Sequence, residues 1–125
     1  MNRTKYLIAL SCLALMLSAC RKTGEKPEGA ASAADAGKEL FSAKNCVMCH
    51  GDNGEGRSSA PALRMLKQYY TKNQLIEYLK DPNAYADKTP RLAERRGMYP
   101  RMMPSFKSSE AAELEQLAEY VLSLQ

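Results

Sequence analysis

Histidine is nearly absent from this chain of 125 residues: His50 is the only one. Cysteine is scarce as well, and of its four residues only Cys46 and Cys49 lie beyond position 20. With so few nitrogen and sulfur ligands, a closed zinc site of four Cys or His side chains lacks a member. No catalytic-triad or phosphate-cradling motif is present. Beyond residue 17 there is no long apolar run, and no stretch of alternating β-branched residues reads as a strand. Neither sign of charge dominates the body, where residues 35–125 hold 13 Lys plus Arg against 12 Asp plus Glu. Nothing there suggests nucleic acid as a partner.

What the chain does have is Cys46-Val47-Met48-Cys49-His50. C-x-x-C-H is the attachment pattern for a covalent c-type haem. Two thiols three residues apart each add across a vinyl group of one porphyrin, and the next imidazole takes one axial position of the iron. The rival readings lack partners. A thioredoxin-like C-x-x-C expects a βαβ pattern around it. Zinc would need a fourth ligand, and adjacent Cys49 and His50 make an awkward pair on one metal. A Cys46–Cys49 disulfide would close a very short, strained loop. One covalent haem c with its iron is therefore the expected cofactor.

The front of the chain reads as an address. Arg3 and Lys5 precede an almost unbroken apolar run from Leu7 to Leu17, too short for a stable membrane-spanning helix. The run ends in Leu17-Ser18-Ala19-Cys20, which resembles the lipobox of bacterial lipoproteins. The resemblance implies that residues 1–19 are a signal peptide, that Cys12 leaves with it, and that Cys20 becomes the lipidated first residue. An ordinary secretory signal cut near Ala19 is the other reading. Covalent haem attachment in bacteria takes place outside the cytoplasmic membrane, so signal and motif agree. The domain is expected in the periplasm or on the outer face of the cell membrane, with inner and outer membrane both open. Arg21 to Ala34 has no large apolar residue and reads as a flexible tether. Its 14 residues give an r.m.s. span of roughly 20 Å.

Residues 35–125 form one small all-α domain of short helices and loops, for which a haem supplies apolar surface to pack on. Asp35 to Lys44 reads as the first helix, with Asp35 or Ser32 as N-cap and Leu40 and Phe41 as its main apolar residues. Gly37 inside it calls for a reason such as close packing on another helix. Three glycines in Gly51–Gly56 force a loop. Thr71 and Gln74 have capping-box spacing ahead of Leu75, Ile76, Tyr78 and Leu79, and that helix should stop at Asp81-Pro82. Ser109 is the expected cap of a last helix to Leu124, whose apolar face is Leu114, Leu117, Ala118 and Val121.

Across residues 35–125 the chain resembles the class I cytochrome c family. Gly37-Lys38-Glu39-Leu40-Phe41 looks like that family's N-terminal helix and Leu117-Ala118-Glu119-Tyr120-Val121-Leu122 like its C-terminal one. In the family these helices cross with a glycine facing an aromatic, and Gly37 and Tyr120 match those positions. Met103-Pro104-Ser105-Phe106 resembles the Met-Pro-x-Phe segment that delivers the second axial ligand. The resemblance implies Met103 as that ligand, with Met102 and Met98 as the other candidates. Core packing is the expectation for Met65 and Met102. Ala60-Pro61-Ala62-Leu63 matches the segment whose proline carbonyl accepts the proximal histidine's other N–H, which implies that role for Pro61 and ring packing for Leu63. A basic run, Lys88, Arg91, Arg95, Arg96 and Arg101, reads by default as a solvated loop. Haem-propionate pairing and docking of an acidic partner are the other readings.

The implied function is electron carriage between redox proteins by a lipid-anchored monohaem protein, with no small-molecule substrate and no enzymatic step of its own. Two other functions remain open at this level. One is a gas sensor or weak peroxidase with an open sixth position; the other is an electron-entry subunit of a larger oxidoreductase.

Overall fold

A computed structural model describes residues 32–125. The signal, Cys20 and most of the tether lie outside the described residues. Among those described there is no strand, only an isolated bridge between Arg57 and Ala60. None of the described helices is long and apolar enough to cross a membrane.

Helix α1 (Ala33–Ala43) begins with a complete capping box. Ser32 Oγ accepts the Asp35 N–H at 3.1 Å, and Asp35 Oδ2 accepts the Ser32 N–H at 3.1 Å. Of the two candidate caps, Ser32 is therefore the cap and Asp35 its reciprocal partner. This pairing draws the helix start to Ala33, inside the stretch read as tether. The Ser32 hydroxyl and N–H hold the Asp35 carboxyl below the ordinary carboxylate range.

Asn45 takes a left-handed conformation (φ 59°) and redirects the chain into the single turn of α2 (Cys46–His50). Gly51 (φ 85°) ends that turn. A 3₁₀ turn, Leu66–Gln68, leads to α3 (Lys72–Lys80), which opens on the expected Thr71/Gln74 capping box. The helix stops where Asp81-Pro82 demanded, but the chain does not become a loop. Asp81 Oδ1 accepts the Ala84 N–H at 2.9 Å, and Pro82 occupies the first position of α4 (Pro82–Asp87). Proline suits that position because its missing N–H would have no helical partner there. Pro90 starts α5 (Pro90–Arg95) in the same way. The segment read by default as a solvated loop thus carries a helix through Arg91 and Arg95. α5 has no buried residue.

The last helix, α6 (Ala111–Ser123), corrects the expected cap. Glu110 is the N-cap, with no side-chain bond. The Ser109 hydroxyl is occupied instead, accepting a hydrogen bond from Lys44 Nζ at 3.0 Å. The same ammonium pairs with Glu113 Oε2 at 2.8 Å, tying the end of α1 to the start of α6.

The core forms where α1 crosses α6. A Cβ on Gly37 would lie 2.0 Å from the Gln116 carbonyl oxygen and 2.6 Å from Tyr120 Cβ, so only glycine permits this approach. Phe41 fills the crossing at 1% exposure, its ring edge-on to Tyr120 with centroids 5.4 Å apart. Leu114, Leu117, Ala118 and Val121 complete the buried face, with Leu75 and Leu79 of α3 packed against it. The anticipated Gly37–Tyr120 contact is the axis of the fold.

Candidate functional site

The one-turn helix α2 sets the site's geometry. Residues i and i+3 share a helical face, so Cys46 and Cys49 stand together and His50 follows on the next position. Both cysteines are free thiols, half-buried. They line a cavity of about 480 Å³, within the range of about 300–1,000 Å³ typical of cofactor pockets. Burial pushes the Cys46 thiol up in pKa, with the Lys44 ammonium pulling the other way.

His50 is the one buried polar side chain among the described residues, 8% exposed. Its Nδ1 lies 2.8 Å from the Pro61 carbonyl oxygen. A carbonyl only accepts, so Nδ1 carries the proton and Nε2 keeps its lone pair. Burial lowers the imidazole pKa, while the bond to Pro61 raises it. The result is a neutral ring with a fixed tautomer, the state in which histidine ligates a metal. The Gly56 N–H donates to the His50 carbonyl (2.7 Å) and the Leu63 N–H to Gly54 O (2.8 Å), which fixes the loop carrying Pro61.

Met103, half-buried, and Pro104 also line the cavity. The loop bearing them is tied to the end of α3. Phe106 N–H donates to Leu79 O at 2.9 Å, and the Ser105 hydroxyl hydrogen-bonds Lys80 O. Met102 borders the cavity but is 52% exposed, and Met98, 66% exposed, does not line it. Core packing therefore does not describe Met102, nor Met65, which is 44% exposed away from the cavity. A methionine's surroundings follow from its loop, not from its residue type. Leu63 lines the cavity and is half-buried.

Sequence reasoning passed over Leu66, Tyr70, Leu92 and Tyr99, which also line the cavity, and read Tyr78, another lining residue, only as part of a helix's apolar face. The Tyr70-Thr71 junction and the Pro90 helix start could have signalled ordered structure there. It also passed over what the basic run does locally. The Arg91 guanidinium stacks on the Tyr69 ring, 4.4 Å from its centroid. Arg96 pairs with Asp87 at 2.7 Å and donates to Asn83 O at 3.2 Å.

The donor set fits a covalent porphyrin. Two free thiols, a neutral imidazole with one nitrogen open and a soft thioether all line one largely apolar cavity. Among the described residues no group of three or more His, Cys, Asp or Glu is placed to hold a bare metal ion. The fold and this cavity define a small all-α domain whose donors suit a covalent haem. The family model for cytochrome c matches residues 34–125, and the chain belongs to the cytochrome c family. Its cofactor is accordingly covalent haem c, with iron. No curated protein and no solved structure matches the chain.

Proposed function

We propose that this is a membrane-tethered monohaem cytochrome c that passes single electrons between redox proteins outside the cytoplasm. The observation that carries it is one apolar cavity lined by Cys46, Cys49, His50 and Met103. Cys46 and Cys49 would hold the haem through their Sγ atoms, each thiol adding across one vinyl group. His50, oriented by its bond to Pro61 O, would offer Nε2 to the iron. Met103, on a loop tied to α3, would offer its thioether to the same iron. When bound, the haem supplies a one-electron ferric–ferrous couple; neutral imidazole and thioether donors favour the ferrous side. Leu63, Tyr78 and Phe106 line the cavity and would shield the bound group from water. Cys20 carries the lipid, a reading supported by the lipobox-like Leu17-Ser18-Ala19-Cys20. More than one acyl chain makes such an anchor stable.

A pyridine haemochrome assay with mass spectrometry of the mature protein tests the haem and the lipid together. One covalent haem and a lipid mass on Cys20 are expected, and a missing haem mass overturns the proposal. The ferric protein should show the weak far-red methionine–iron band, and Met103→Ala should abolish it. Rapid carbon monoxide binding by the native ferrous protein would instead indicate an open sixth position.

A further inference from the structure

The cavity wall has a one-sided charge. Five cationic side chains line it, Lys44, Arg91, Arg95, Arg96 and Arg101, and not one Asp or Glu. The four arginines are exposed at the edge of the cavity, so water solvates them and they are available to an occupant of opposite charge. Three of the five already have partners. Lys44 is held by Glu113 and Ser109, Arg96 by Asp87 and Asn83, and Arg91 lies on the Tyr69 ring. Arg95 and Arg101 have no ion pair among the described residues. The backbone brings this pair to one cavity. The Met98 N–H closes a turn onto Arg95 O at 3.1 Å, and Gly97 in left-handed conformation (φ 92°) reverses the chain so that Arg101 returns.

Haem c carries two propionate carboxylates, and the cavity leaves two guanidiniums over. We propose that Arg95 and Arg101 bind the two haem propionates. The inference rests on the haem reading of the site. Each guanidinium presents a planar fork of donors that suits a carboxylate. Such pairing would shift the reduction equilibrium, because positive charge beside a redox group favours the state with one more electron.

The test is potentiometric titration of the haem-loaded protein with Arg95→Gln, Arg101→Gln, the double variant and the two Lys replacements. Arg64→Gln, exposed and away from the cavity, controls for net charge. The double variant should shift the reduction equilibrium about tenfold toward ferric, 59 mV for one electron. Each single variant should shift it a few-fold, the Lys replacements should recover most of the loss, and Arg64→Gln should leave it within twofold. A double variant within twofold of native, or an equal shift from Arg64→Gln, overturns the assignment. So does an unchanged potential with salt-sensitive slowing of reduction by an acidic redox protein, which would make the arginines a docking patch. If Arg101→Gln loses the far-red band, Arg95→Gln with the band intact decides alone. Absence of covalent haem from the native protein would refute the underlying site instead, before any variant is made.

Discussion

Phe41, Leu117 and Val121 reach the cavity from the α1–α6 crossing, whereas Arg91, Leu92, Arg95 and Arg101 reach it from α5 and the chain after it. The first wall is apolar and almost fully buried, with Phe41 and Leu117 each 1% exposed and Val121 4%. The second has no buried residue within its helix and is held by a cation–aromatic stack and an ion pair. Two walls of one pocket are thus built by different forces. Burial of large side chains is worth several kcal/mol per residue, while exposed stacks and ion pairs contribute about 1 kcal/mol or less. The crossing supplies a rigid reference, and the α5 wall supplies charge at little structural expense. Local opening is expected at α5 well before the crossing yields.

Substitutions can break this contrast or sharpen it. The largest effect should come from Phe41→Ala, which empties the crossing and should destabilise the protein by about 3–5 kcal/mol in denaturant unfolding of the haem-loaded form. A loss no greater than that at α5 would erase the distinction between the walls. Gly37→Ala comes next, because its methyl must push against the Gln116 carbonyl; overpacking of this kind costs about 1–3 kcal/mol. Arg91→Ala should lower global stability by about 0.5–1 kcal/mol. Its clearer signature is faster amide exchange across 90–96, with the α1 and α6 amides unchanged. Smallest is a pH effect at Glu55. Its own N–H and that of Asn53 hold the carboxylate below the ordinary range. A depressed folded pKa means a stabilising contribution present at neutral pH and lost as pH falls through the folded value, so the window lies below about 4.3. Glu55→Gln should flatten that part of the stability–pH curve.

How much of this was legible in the sequence depends on how locally each feature is determined. C-x-x-C-H fixes its own geometry within one helical turn, and Ser32–Asp35 and Thr71–Gln74 carry their capping partners three residues away. Gly37 and Tyr120 were legible only through family resemblance, since their contact spans the length of the domain. The misses share a cause. Ser109 had the right chemistry for a cap, but Lys44, far off in sequence, claims its hydroxyl. α4 and α5 are only six residues each, too short to show a period, and proline stands at the start of both. The exposure of Met65 and Met102, and which arginines of the basic run are already paired, are set by tertiary neighbours that no local pattern reports.

The hydrogen bonds from Ser105 and Phe106 to the last carbonyls of α3 have one more consequence. They return the chain at 105 to the place it left at Lys80, so residues 81–104 form an excursion whose two ends meet. Met103 sits at the returning end, beside that junction, and takes its position from α3 instead of from the length of chain between. For a flexible loop closed in this way, doubling its length costs only about 0.6 kcal/mol. The excursion can therefore lengthen, shorten or change its charge as an exchangeable cassette, while the sulfur next to its closing knot stays in place.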